Sequence, residues 1–280
     1  MYDADYVLLL TKIKNRVNII IDKTKLAEVE KWFTDYVHTF IFVDQGIHQN
    51  IDLKIDHTMR VCKEILNIGD LIGLNEDELR LAEIIALLHD TGRFEQISRY
   101  QTFMDSKSVD HAELGIKVLK HFEVLKPFDD SIKELVYCAV KYHSKPSLPV
   151  VENENCLFFS RLIRDADKLD ILNVVTEYYH KKGEGKNGAI VLDLPDTPGI
   201  SDEVYRNLIN RSIVNIEHVT NLNDFKLLQA GWIFDINFQP TLDCIKHRRY
   251  LELIREVLPE SKEIDEIYNA INSSFEPFRK

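Results

Sequence analysis

Apolar residues recur at helical spacing from about Leu26 to the C-terminus, with no sustained alternation of the kind a half-buried strand needs. The pattern predicts helices near 25–45, 52–72, 76–90, 111–124, 130–143, 155–182, 202–219, 222–231, 240–257 and 262–275. Asn75 followed by Glu78 reads as a capping box at the start of the third helix, and Gly92 reads as its stop. The stretch 79–90, LRLAEIIALLHD, is apolar nearly all round, which predicts a central buried helix. Segment 183–201 holds Gly183, Gly185, Gly188, Pro195, Pro198 and Gly199, the largest break in the pattern. It marks either a loop or the seam between a core and a C-terminal helical cap.

Composition strengthens the helical reading. The chain of 280 residues has 10 glycines and 8 prolines, well under average usages of roughly 7% and 5%. Few turns over this length imply long uninterrupted elements. The formal net charge of −11 argues against a grip on nucleic acid, which needs clustered Lys and Arg. A small anionic substrate stays compatible, because a metal centre supplies local positive charge. Cys62, Cys138, Cys156 and Cys244 form no CxxC pair and no metal-finger spacing, and read as reduced, mostly buried thiols. No basic leader opens the chain, and no stretch approaches the roughly 20 apolar residues of a membrane span. A soluble cytoplasmic protein, off the membrane, is the expectation.

Chemistry enters where the buried helix 79–90 ends in His89 and Asp90 side by side. A buried carboxylate is costly unless it is paired or bound to a cation, so Asp90 needs a partner. Residues three, four, seven and eight apart share a helix face. By that test His57 lies with Val61, Ile65, Ile68 and Ile72; His111 with Gly115, Val118 and Leu119; His143 with Val136, Ala139 and Val140. Asp165 lies with Phe158, Leu162, Leu169 and Leu172, whereas Asp167 and Asp170 share faces with polar residues and read as more exposed. A lone histidine on an apolar face is commonly an ordinary core residue. Several on separate helices, together with a His-Asp dyad, point to a metal centre, with His111 and His143 open also to substrate-binding or proton-shuttling roles. Imidazole and carboxylate without thiolate suit one or two divalent transition-metal ions (Mn, Fe, Co, Ni or Zn). Six ligands exceed the needs of one open catalytic ion; two ions bridged by Asp90 would use them all.

The order His57, His89-Asp90, then Asp165 within RDADKLD, along an all-helical chain, resembles the HD-domain superfamily of metal-dependent phosphohydrolases. LLHDTGRFEQ resembles the family's dyad helix and following turn, and His111 and His143 resemble the additional ligands of its two-metal members. The resemblance covers roughly residues 50–180. It implies an all-α HD-domain bundle with additional C-terminal helices, divided into an N-terminal helical segment (1–50), the metal-binding catalytic core (51–182) and an extension packed on that core (183–280). It further implies hydrolysis of a small phosphate ester, with a nucleotide favoured, through a metal-activated water. A di-iron oxygenase on the same scaffold and a non-catalytic nucleotide sensor are the alternatives. Thr91-Gly92-Arg93 stands where the cyclic-di-GMP branch has a GYP-like triplet, which argues against that branch.

Within this frame Asp90 is the expected bridge or nucleophile orienter, and Arg93 the cation that clasps a phosphate. Lys145 and Lys168 are further cationic candidates. Residues 93–105 read as a substrate-facing loop, with Gln96 and Tyr100 as its contacts. The aromatic stretch from Gln229 to Phe238 could close over the active site, join a homodimer or, the favoured reading, pack within the core.

Overall fold

The computed structural model describes residues 19–41, 45–150, 152–181 and 188–275. Among these residues the chain is all-helical, with no strand. The helices are α1 (Lys23–Ile41), α2 (Gln45–Leu71), α3 (Glu76–Leu88), α4 (Thr91–Tyr100), α5 (His111–His121), α6 (Asp130–Tyr142) and α7 (Glu154–His180). After α8 (Gly188–Val191) come α9 (Asp202–Ile209), α10 (Leu222–Gly231), α11 (Gln239–His247), α12 (Tyr250–Glu256) and α13 (Lys262–Asn272). The part of the N-terminal segment before Ile19 lies outside the described residues.

The longest helices, α2 and α7, pack along one another, with α3 beside α2 and α6 beside α7. Helix α7 is buried on nearly every side, from Cys156 through Thr176. One continuous apolar core runs from Ile19 to Ile271, so the C-terminal helices share it with the first seven. The capping box is present: the Asn75 side chain accepts from the amides of Asp77 and Glu78, and Glu78 reaches back to the Asn75 amide. No helix among the described residues is long and apolar enough to cross a membrane.

Three local expectations are corrected. Residues 91–100 form α4 rather than a loop, and Gly92 lies in its first turn rather than ending α3. A Cβ on Gly92 would sit 2.1 Å from the His111 carbonyl oxygen and 2.6 Å from the Gly115 amide nitrogen. Glycine is there because α4 and α5 pack backbone against backbone. The expected helix 202–219 stops at Ile209, with Arg211 left-handed at φ 54°. The expected helix 240–257 is broken at Arg249, also left-handed at φ 57°, into α11 and α12.

The aromatic stretch packs within its own chain: Ile233 and Phe238 are buried in the core, while Trp232 faces the cavities described below.

Candidate metal centre

Five histidine and aspartate side chains from separate elements converge at the middle of the first seven helices. His57 comes from α2, His89 and Asp90 from the α3–α4 junction, His111 from the first position of α5, and His143 from just past α6. All five are at least 95% buried. Each imidazole has its Nδ1 against an acceptor: His57 on Asp170 Oδ2 (2.6 Å), His89 on the Ala86 carbonyl (2.6 Å), His111 on Asp105 Oδ2 (2.7 Å) and His143 on the Val140 carbonyl (2.7 Å). A carbonyl or carboxylate can only accept, so Nδ1 carries the proton and each Nε2 turns a lone pair inward.

Asp90 stands between two histidine pairs. Its Oδ2 is 3.6 Å from His57 Nε2 and 3.7 Å from His89 Nε2. Its Oδ1 is 3.4 Å from His111 Nε2 and 3.5 Å from His143 Nε2. Asp167 adds Oδ1 at 3.1 Å from His57 Nε2 and 3.9 Å from His89 Nε2. Donors held about 2.1 Å from one ion in tetrahedral or octahedral geometry lie roughly 3.0–3.4 Å apart, close to these spacings. Nε2 of His57 and of His89 is buried without a hydrogen-bond partner. Nε2 of His111 and of His143 face each other at 3.0 Å; with both Nδ1 atoms protonated two lone pairs meet there, a contact that a cation would relieve. The donor set therefore fits divalent metal. His57, His89, Asp90 and Asp167 could form one ligand group, and Asp90, His111 and His143 a second.

Electrostatics keep Asp90, His89 and His111 in their metal-binding forms. Burial would raise the Asp90 carboxyl, but Lys54, the neighbouring histidines and Arg93 hold it well below the usual carboxylate range. Burial pushes His89 down to about 4 and, with Arg93 adding to it, His111 down to about 4 as well. Both are neutral at physiological pH, as a ligand must be. Burial and Lys54 press His57 downward, and the Asp167 and Asp170 carboxylates beside it outweigh them and raise it.

Asp165 is a correction. It is fully buried, but its carboxylate faces away from the histidines and accepts from the Asn237 amide (3.1 and 3.0 Å), the Asn237 side chain (2.8 Å) and the Phe238 amide (3.0 Å). Residues two apart on a helix point to nearly opposite sides, so α7 can present only one of Asp165 and Asp167 to the centre, and that one is Asp167. Asp170, three residues on and on the same face, is not exposed either. It bonds His57 and pairs with Arg60 (Nε to Oδ1, 2.5 Å).

The proposed substrate contacts separate. Arg93 is tied down: its Nη1 donates to Gln96 Oε1 (2.7 Å), the Phe103 carbonyl (2.5 Å) and Asp105 Oδ1 (3.0 Å). Its buried Nε has no partner and lies 3.6 Å from Asp90 Oδ1, so only this edge faces the centre. Gln96 is fully buried and donates to Asp105, Ser108 and the Val109 carbonyl, which makes it an internal brace and corrects its assignment as a substrate contact. Tyr100 is 44% exposed and lines neither cavity at the centre, a second correction. Both follow from residues 91–100 being helical. Lys145 and Lys168 do line a cavity, ion-paired to Asp110 and Asp235 respectively.

Two adjoining cavities of about 400 and 350 Å³ open at the centre and share Lys54, Arg93, His111, Ile216, Phe225 and Trp232. The first is largely apolar, with Leu53, Phe103, Val174, Val175 and Leu192. The second is the more polar of the two, with Asp90, His143, Lys145, Arg164, Asp167, Lys168 and Asp235. Ile216, Phe225 and Trp232 form a roof supplied by the C-terminal region. Asp235 anchors that roof to α7 by accepting from Arg164 Nη2 (2.5 Å) and from Lys168. Lys54, whose Nζ donates to Asp90 Oδ2 at 2.6 Å, has no sequence signature. A lysine one turn before His57 reads as an ordinary polar-face residue.

Four histidines and two aspartates gathered at a buried, cavity-lined point of an all-helical bundle make a donor set that could hold divalent metal. Residues 55–172 match the family model described as HD domain, and the match supports membership of the HD-domain superfamily for this part of the chain. Searches of curated proteins and of solved structures found no match.

Proposed function

We propose that the protein is a phosphohydrolase that cleaves a small phosphate ester, a nucleotide by preference, at a two-ion centre bridged by Asp90. The split of Asp90's two oxygens between the His57–His89 and His111–His143 pairs carries this reading. When bound, the metal would supply an activated water and Lewis-acid stabilisation of phosphoryl charge. The chain's residues account for the rest. His57, His89, Asp90, Asp167, His111 and His143 are the ligands. Asp170, Asp105 and the Ala86 and Val140 carbonyls fix the imidazole tautomers. Lys54 and the free edge of Arg93 meet the anionic oxygens, and Lys145 and Lys168 add positive charge in the polar cavity. The apolar cavity, roofed by Trp232 and walled by Phe103, suits the flat face of a base and excludes water from the reacting group.

The same donor set, rich in imidazole and free of thiolate, also suits a di-iron centre, so an oxygenase is the second reading. The test is phosphate release from a panel of nucleotides, dinucleotides and sugar phosphates with Mn²⁺, with Asp90→Asn run alongside. Release from one class of substrate that drops at least a hundredfold in the variant supports the proposal. A metal-loaded protein that releases no phosphate from any member but consumes dioxygen with iron overturns it in favour of the oxygenase.

A further inference from the structure

Two of the four cysteines meet where the sequence shows no motif. Cys138 on α6 and Cys156 in the first turn of α7 are 18 positions apart, and Glu152 lies just before α7. Their sulfur and carboxylate donor atoms all lie within 4.8 Å of one another. Cys138 is 8% exposed and Cys156 1%. Two hydrogen bonds hold Glu152 in place: Oε2 accepts from the Tyr142 hydroxyl (3.1 Å) and Oε1 from the Asn153 amide (2.9 Å). One turn beyond Cys156, on the same face of α7, the Ser160 hydroxyl is fully buried without a hydrogen-bond partner. Buried thiols normally sit among apolar neighbours. A carboxylate set against two of them, with an orphaned hydroxyl close by, is instead a set of donors without a cation.

We propose that Cys138, Glu152 and Cys156 form a second metal site, for zinc, with water or the Ser160 hydroxyl as fourth ligand. Zn–S bonds of ~2.3 Å and Zn–O bonds of ~2.1 Å in a tetrahedron put donors about 3.5–3.8 Å apart, which side-chain rotation reaches from the present spacing. Binding releases the two thiol protons to solvent and leaves two thiolates and one carboxylate around the ion. The site shares no ligand with the histidine centre and does not depend on the function proposed above. It clips the end of α6 to the start of α7, five residues before His143, and so steadies the element that presents that histidine.

Cobalt titration of the reduced full-length chain tests the site, because sulfur-to-cobalt charge-transfer absorption can arise only from thiolate ligation and the histidine centre has no sulfur. The expected result is such a band saturating at one equivalent, retained in Asp90→Asn and absent in Cys138→Ala. In Glu152→Gln cobalt should bind at the thiolates at least tenfold more weakly. Cobalt uptake by the wild type with no charge-transfer band overturns the proposal, as does a band unchanged in both the cysteine and the glutamate variants. If Cys138→Ala fails to fold, the wild-type and Glu152→Gln spectra decide, since Glu152 lies outside the core.

Discussion

Replacing Asp165 or Asp167 by asparagine should separate two roles that their closeness in sequence conceals. At Asp165, Oδ2 accepts the backbone amides of Asn237 and Phe238, each at 3.0 Å, and Oδ1 accepts the Asn237 side-chain amide at 2.8 Å. An isosteric asparagine keeps the two backbone amides with its oxygen at the Oδ2 position, and its NH₂ then faces the Asn237 side-chain donor. Leaving that donor unsatisfied costs about 1–3 kcal/mol, and relief of the buried charge offsets part of this. A net loss of roughly 1–2 kcal/mol follows, which for a chain of this size lowers the melting temperature by about 2–5 °C. Metal content per folded molecule should not change. At Asp167 the expectation inverts: metal affinity falls by tenfold or more, while the chelator-treated protein melts close to wild type. The assay pairs thermal unfolding in chelator with elemental analysis after metal loading. An Asp165→Asn protein that keeps its melting temperature but loses metal would refute the assignment of ligand and anchor on α7.

Three further outcomes are expected. Gly92→Ala drives a Cβ into the His111 carbonyl and the Gly115 amide; it should prise α4 from α5, costing several kcal/mol and most activity, read from denaturant unfolding and turnover, and a near-wild-type variant would contradict the close packing. Asp170→Asn weakens the support of the His57 tautomer and should reduce metal affinity roughly 10–100-fold, measured by competition with a chromophoric chelator; unchanged affinity would remove Asp170 from the centre. In chelator, acid should destabilise the fold: His89 and His111 hold fewer protons folded, near 4, than unfolded, at 6.5, so stability is full above 6.5 and falls as pH drops toward 4, by up to roughly 3 kcal/mol per histidine. His57, raised in the fold, contributes with the opposite sign, present below 6.5 and lost as pH rises through its folded value; a denaturation midpoint flat between pH 6.5 and 4 would count against the buried neutral imidazoles.

How much of this is legible beforehand depends on whether one-dimensional periodicity carries it. The His57, His111 and His143 stripes are readable because each helix has a clear polar side, and the structure brings all three to the dyad. Helix α7 defeats the same test: it is buried nearly all round, so its most apolar face is not the face turned to the histidines, and Asp165 outscores Asp167. Helix α4 is hidden by composition, since TGRFEQISRY has few apolar positions and its glycine mimics a stop. Lys54 and Asp235 gain their meaning only from partners 36 and 67 or more residues away. The Cys138–Glu152–Cys156 group likewise depends on how two helices pack.

The roof over the cavities has a consequence for how such a protein can diversify. The HD family match ends at residue 172, whereas Ile216, Phe225 and Trp232 lie beyond it, in a region fastened to α7 at Asp165 and Asp235. Floor and ceiling thus come from different stretches of one chain. A different C-terminal region that preserved an acceptor for Arg164 and Lys168, and two amides for Asp165, could be grafted onto the same centre. The donor set would persist while the shape of the accepted molecule changed.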